Sequence, residues 1–279
     1  LMKCSWLSAV ALVGVMVFGS PGRSGSARAQ AAPAGDTQGD ALPIALPWDP
    51  GVIDVSGAGG EETDPFFRGG APTLWLAYSA AVDGPMRVDT NGYLEHVLIA
   101  FEVQAPDAEL SEGDAVAAGY DTVTIDAKAG RSYRIVLANI AGAPEVHLTA
   151  DLVTPPPPPA NDELAAATTI ASLPFTDAND ASGATRNPGD PGISALFPTV
   201  WYHVVLAESA MVDVAVDGTE ALISVLTADG STFAEGQGQV SFVAAAGVGY
   251  DVEVVLMRRP GPFTLTVDGT SLGGLAMDE

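Results

Sequence analysis

A chain of 279 residues has room for one large domain or two of ordinary size. Apolar residues make up 47% and charged residues 16%, which supports a buried core and excludes global disorder. A formal charge of −24 repels phosphate backbones and anionic lipid surfaces, so nucleic acid and membrane surfaces are poor candidate partners.

Residues 1–29 read as an export signal. Lys3 supplies a positive start, Cys4 to Phe18 is an unbroken run of apolar or small residues, and Ala27-Arg28-Ala29 offers a cleavage site before Gln30. The run is about 15 residues, short of the roughly 20 that span a bilayer; a retained anchor is the alternative. Cleavage removes Lys3, Arg23 and Arg28 and no acid, leaving 8 basic against 35 acidic groups, a net −27. Cys4, the only cysteine, leaves with the signal, so the mature chain has no disulfide, thiolate nucleophile or cysteine metal site. The expected location is outside the cytoplasm, secreted or periplasmic, with no membrane attachment after cleavage. An extracellular polymer or cell-surface protein is the expected kind of partner.

The mature chain divides at Pro155 to Pro159, an uninterrupted run expected to form a stiff polyproline spacer. Residues 30–153 and 160–279 flank the linker 154–159, and they align with each other. Trp75 matches Trp201 and Asp64-Pro65 matches Asp190-Pro191, each 126 residues apart; Ser56-Gly57-Ala58 matches Ser182-Gly183-Ala184 at the same spacing. Leu46-Pro47-Trp48 matches Leu173-Pro174-Phe175. Later, Ala129-Gly130 before Tyr133 matches Ala246-Gly247 before Tyr250, and Leu148 matches Leu265, now 117 apart. The change in spacing places about nine extra residues in the first copy, around Gln104 to Gly119. Such ordered matches mark a duplication.

Each copy reads as strands. Val212, Val214 and Val216 alternate with polar or small residues, as do Tyr250, Val252, Val254 and Leu256, and Phe263, Leu265 and Val267. The first copy repeats the pattern with Tyr133, Ile135 and Leu137 around Arg134 and Val136. Period-two alternation predicts one face in a core and the other in water. Asp217-Gly218, Asp229-Gly230 and Ala246-Gly247 supply turns between the runs. The one helix candidate is 161–167, with Asn161 or Asp162 as N-cap. The expected fold is all-β: two tandem antiparallel, jelly-roll-like sandwiches joined by the polyproline linker.

The second copy runs from Pro159-Ala160-Asn161-Asp162-Glu163-Leu164-Ala165 through Leu173-Pro174-Phe175-Thr176, Ser182-Gly183-Ala184-Thr185 and Val200-Trp201-Tyr202-His203-Val204. It closes with Ala246-Gly247-Val248-Gly249-Tyr250 and Gly261-Pro262-Phe263-Thr264-Leu265-Thr266-Val267. This order resembles the bacterial pre-peptidase C-terminal domain over residues 160–268, and more weakly over 33–152. The resemblance implies a non-catalytic secreted sandwich found beside peptidases and in other extracellular proteins, some members of which bind calcium, collagen or other insoluble polymer. This chain departs from the family's acidic positions. Glu220-Ala221 and Glu95-His96 stand where Asp-Thr is frequent, and Ala234-Glu235-Gly236-Gln237-Gly238 replaces an acidic loop. No aromatic-rich surface of a collagen binder is evident.

The search for chemistry yields little. Gly269-Thr270-Ser271-Leu272-Gly273 satisfies a bare G-x-S-x-G, but no histidine follows it, as the nucleophile elbow requires. His96, His147 and His203 have no metal-binding spacing. No catalytic residue is assigned and no cofactor is required. Trp75 and Trp201 suit either a sugar-stacking face or a shared core position, and the duplication favours the core. An ion site is the best candidate: Asn161, Asp162, Glu163 and Asp180, with Asp177, Asn179 and Asp190 nearby, supply the oxygens a calcium ion takes. A solvated cap and acidic turns are the alternative. The leading functional reading is a secreted, non-catalytic binding or spacer protein. The alternatives are a cryptic hydrolase working across the groove between the copies, or a calcium-stabilised accessory domain of a peptidase system.

Overall fold

The computed structural model describes residues 33–273 apart from 61–71, 92–95, 106–107, 109, 140–143, 188 and 191–194; the expected export signal, 1–29, and Asp64-Pro65 lie outside the described residues. The first copy contributes β1 (Leu42–Ile44), β2 (Val52–Asp54), β3 (Thr73–Ser79), β4 (Gly84–Asp89), β5 (His96–Val103), β6 (Ala115–Tyr120), β7 (Thr122–Ala127), β8 (Ser132–Asn139), β9 (Glu145–His147) and β10 (Thr149–Leu152). The second contributes β11 (Thr168–Ile170), β12 (Phe175–Asp180), β13 (Thr199–Val205), β14 (Ala210–Asp217), β15 (Ala221–Leu226), β16 (Thr232–Gln237), β17 (Gln239–Ala244), β18 (Gly249–Leu256) and β19 (Pro262–Ser271). The fold is all-β and sandwich-like. Among the described residues no helix is long and apolar enough to cross a membrane.

The duplication is visible in the topology. One sheet has the order β1-β3-β8-β5-β6, and its counterpart is β11-β13-β18-β15-β16. In each, the first strand pairs parallel with the second and the other pairings are antiparallel. The opposing sheet of the second copy is β12-β19-β14-β17. In the first copy it is split into β10-β4-β7 and β2-β9, because β9 and β10 are the single strand β19 interrupted at Leu148. The aligned Leu46-Pro47 and Leu173-Pro174 bonds are both cis. The extra residues of the first copy fall between β5 and β6, at 104–114, where the second copy needs only 227–231 between β15 and β16.

Each sandwich closes over its own apolar cluster. In the second, Val212, Val214 and Val216 of β14 meet Val252, Val254 and Leu256 of β18, with Phe263, Leu265 and Val267 of β19 beside them. In the first, Leu74, Leu76 and Tyr78 of β3 and Ile135 and Leu137 of β8 meet Met86 and Val88 of β4 and Ile125 of β7. The strand β14 is buried at every second residue, as its alternation predicts.

The five-stranded sheets depart from that pattern. Val136 and Arg134 in β8 and Glu253 and Val255 in β18 belong to the faces expected in water, yet all four are buried. Trp75, Val97, Ile99, Phe101, Ala118 and Val136 on the outer face of the first sheet form one cluster with Phe197 and Val255 of the second copy. The sandwiches thus meet along a buried seam. Trp75 and Trp201 do not plug the sandwich cores: they alternate with the core residues Leu74, Leu76, Val200 and Tyr202, so both are buried on the outer faces. Trp75 packs there against Phe101, with ring centroids 6.1 Å apart.

The proline run does not hold the copies apart either. It lies along the second sandwich at Gly183, where a Cβ would come within 2.2 Å of the Pro157 carbonyl oxygen. Glycine is therefore required at 183 by close approach of the strap. Across the seam, the Tyr120 amide donates to the Met257 carbonyl at 2.8 Å.

Two outcomes follow. Leu265, fully buried in β19, loses about 2–5 kcal/mol of stability on change to alanine, while Thr264→Ala, half-buried on the other face, loses far less; urea melts with equal losses would refute the strand phase. A protease site inserted among Pro155–Pro159 and then cut yields two fragments that still co-elute on gel filtration, because the buried seam outlasts the covalent link. Separation of the fragments under native conditions would contradict the seam.

Candidate functional site at the seam between the sandwiches

The residues expected to hold an ion are used by the chain itself. The Asn161 side chain donates to the Trp201 carbonyl at 3.1 Å and accepts from Asn179 at 2.9 Å. Asp162 accepts from the Thr185 amide at 2.8 Å with one oxygen and from the Thr185 hydroxyl at 2.6 Å with the other. Glu163 accepts from the Asn187 amide group at 2.7 Å. Asp180 lies one step along β12 from Asn179, on the opposite and exposed face, and accepts from the amide and hydroxyl of Ser182 at 3.0 and 2.5 Å. Asp177 accepts from the Tyr202 hydroxyl at 2.8 Å. The structure brings Asp162, Glu163 and Asp190 into one neighbourhood and leaves Asp180 out of it. The expected helix shrinks to a 3-10 turn, Leu164–Ala166, whose N-cap is Glu163, with no side-chain cap bond.

The first copy shows what these residues are for. Asp36, 126 residues before Asp162, accepts from the Gly59 amide at 2.6 Å, as Asp162 does from Thr185. Asp54 accepts from Ser56 as Asp180 does from Ser182. Gly35 and Asn161 each offer a backbone carbonyl to the tryptophan amide of the neighbouring strand, at 2.7 and 2.8 Å. These contacts are clasps that close each copy. Among the described residues no three His, Cys, Asp or Glu side chains form a group that could hold a metal ion.

The histidines are dispersed. His147 pairs with Asp49 at 2.8 Å and His203 with Asp251 at 2.7 Å, both on partly exposed sheet edges or faces, and His96 is buried at the start of β5. Ser271 ends a strand rather than a strand-to-helix elbow. None of these residues lines the cavity that opens between the two sandwiches.

Sequence reasoning missed the seam itself, where the cations gather. A cavity of about 330 Å³ opens between the sandwiches, walled by β4 and β7 on one side and by 182–186 and 256–260 on the other, with the proline strap across it. Four arginines line it: Arg87, Arg186, Arg258 and Arg259. Residues 30–279 carry 8 basic residues, and four of them line this one cavity. Arg258 reaches across the seam to Asp121 and also binds Glu220 at 2.5 Å. Burial works against its charge, but the two carboxylates outweigh that and hold its pKa above the ordinary value. Glu220, one of the departures from the resembled family, thus serves as half of the clamp. Arg259 pairs with Asp89, which Arg87 approaches only to 4.0 Å. Arg186 has Asp126 at 3.9 Å and no hydrogen-bond acceptor among the described residues. Burial lowers its pKa, and the charge of Asp126 only partly offsets this.

No protein-family model and no curated protein matches the chain. The solved structures similar to it are distant. They include PliG, a periplasmic inhibitor of g-type lysozyme from Aeromonas hydrophila, at 16% identity over 37% of this chain and 96% of the inhibitor, with a TM-score of 0.25. An uncharacterised protein from Burkholderia cenocepacia has 10% identity over 82% of this chain and 83% of its own, with a TM-score of 0.28. Lac15 from a marine microbial metagenome has 14% identity over 74% of this chain, which spans 54% of Lac15, with a TM-score of 0.23.

Asp190 supplies the test of the clasp. Burial raises its pKa above 3.8, opposed by the Thr199 hydroxyl that donates to it at 2.8 Å and reinforced by the charges of Glu163 and Asp162. The folded state therefore binds this proton more tightly than the unfolded chain. Stability from this group is gained as pH falls through the folded pKa and is complete below the unfolded one. Asp190→Asn accordingly melts higher than the native protein at neutral pH, and the difference closes as pH approaches about 4. Millimolar calcium shifts both melts no further than sodium chloride at matched ionic strength. A calcium-specific rise lost in Asp162→Ala would instead restore an ion site.

Proposed function

We propose that this is an exported, non-catalytic binding module in which two sandwiches of the pre-peptidase C-terminal type act as one stiff body. The observation that supports the reading is the seam: a buried apolar contact between the copies beside a cavity lined by four of the eight cations of residues 30–279. A binding site between two packed units is a common arrangement, because the walls come from separate elements and are held rigid by the packing behind them. The histidines carry no comparable arrangement. Each lies on a different strand, and two of them are paired with a single carboxylate.

Export and the family assignment rest on the sequence features of residues 1–29 and 160–268. Extracellular polymer or a cell-surface protein is the proposed partner, and the seam is the proposed contact. The reading is tested with purified residues 30–279, sedimented with insoluble bacterial envelope, cellulose and chitin, and assayed in parallel for release of soluble product. Retention on at least one material without turnover is the expected result. Turnover that His203→Ala abolishes would replace this reading with the hydrolase.

A further inference from the structure

We infer that the seam cavity binds a carboxylate, presented by a small ligand or by the end of a chain, with Arg186 as its principal contact. The side chain of Arg186 is only 18% exposed, yet none of its five N–H donors has an acceptor among the described residues. Its one counterion, Asp126, stands 3.9 Å away with a side chain 72% exposed, too far for a hydrogen bond and largely committed to water. A guanidinium fork matches a carboxylate in two parallel hydrogen bonds, and such charge-assisted pairs are the strong ones. Arg87 lines the same cavity with a similarly loose partner at 4.0 Å. Arg258 and Arg259 are already engaged with carboxylates of the protein, so they shape the wall rather than offer free donors.

Size and field narrow the occupant. A volume of about 330 Å³ lies at the small end of ligand pockets, room for one sugar ring or a terminal residue or two. The net −27 of residues 30–279 repels a polyanion, whereas a single carboxylate meets little repulsion at physiological ionic strength and a local attraction among the arginines. Thr124 also lines this space and brings a hydroxyl-bearing side chain to the wall beside the arginines.

This site rests on the binding-module reading, and its test separates the two. Residues 30–279 are titrated by calorimetry with galacturonate and with N-acetyl-glutamate, against methyl galactoside and N-acetyl-glutamine amide as neutral counterparts. Saturable binding of at least one carboxylate and none of its neutral counterpart is expected. Arg186→Gln weakens it about tenfold or more, while Arg131→Gln, on an exposed pair with Glu102 away from the cavity, leaves it unchanged. Arg186→Gln does not lower the melting temperature of the free protein, since it removes a buried charge that lacks a hydrogen-bonded partner. A signal from galacturonate alone identifies an acidic sugar, and one from N-acetyl-glutamate alone a peptide carboxylate. No binding of either, or equal binding by Arg186→Gln, overturns the site. If envelope retention persists in that case, the binding-module reading stands without it.

Discussion

Trp75 lies on the outer face of its sheet, opposite the core of its own sandwich, and it is fully buried. The same holds for Val97, Ile99, Phe101 and Val136 around it, and for Val255 across the seam. Each large apolar side chain buried in this way contributes about 1.5–3 kcal/mol as an upper figure, so a handful rivals the net stability of a whole domain. Separated, the two sandwiches would expose that face as one contiguous apolar patch, which monomeric proteins avoid. The seam therefore determines both the rigidity of the molecule and the existence of the cavity, whose two walls belong to different copies.

The duplication explains why so many short polar motifs recur without doing chemistry. Asp36 and Asp162 tie the entry of each copy to its neighbouring loop, and Asp54 and Asp180 close the turn at Ser56 and Ser182. Tyr133 and Tyr250 each accept a backbone amide five residues earlier, at 3.0 and 3.3 Å. A buried amide left without an acceptor costs more than the bond itself contributes, so these carboxylates and phenols are fixed by the backbone they satisfy. Acidic and Asn-rich clusters in such a fold are read more safely as clasps than as ion cages. Where the copies differ, the difference is local: β19 is continuous, while its counterpart breaks at Leu148 and β2 pairs only with the β9 fragment.

The period-two runs of β14 and β19 face one core and one solvent side, so their phase was readable from Val212 to Val216 and from Phe263 to Val267 alone. The spacing of Trp75 and Trp201 revealed the repeat but not the face on which they lie, because a residue buried between sandwiches and one buried inside a sandwich carry the same signal. A clue was present in β5. Val97 to Phe101 is an unbroken apolar run, the pattern of a strand covered on both sides. The arginines gave none, since Arg186 and Arg258 are remote in sequence within the second copy and Arg87 joins them only when the two copies dock. The oxygens of Asn161, Asp162 and Glu163 were legible as a cluster, but the hydrogen bonds that occupy them come from Asn179, Thr185 and Asn187, which only the fold brings near.

The docking itself has to overcome like charge. Residues 30–153 carry 19 acidic and 5 basic groups and residues 160–279 carry 16 and 3, a net −14 against −13. Treated as point charges roughly 25 Å apart in water, two such bodies repel by about 30 kcal/mol without salt. A Debye length of about 8 Å at physiological ionic strength reduces this to about 1 kcal/mol. Under that screening the apolar seam wins easily, and Arg258 adds attraction where the two surfaces come closest by pairing with Asp121 of one copy and Glu220 of the other. Concentrating the few available cations at the seam is thus part of what allows two strongly acidic halves to share a face. Arg258 and Arg259 are consumed in that task. Arg186, also at the seam but without a hydrogen-bonded partner there, is the cation left over from it.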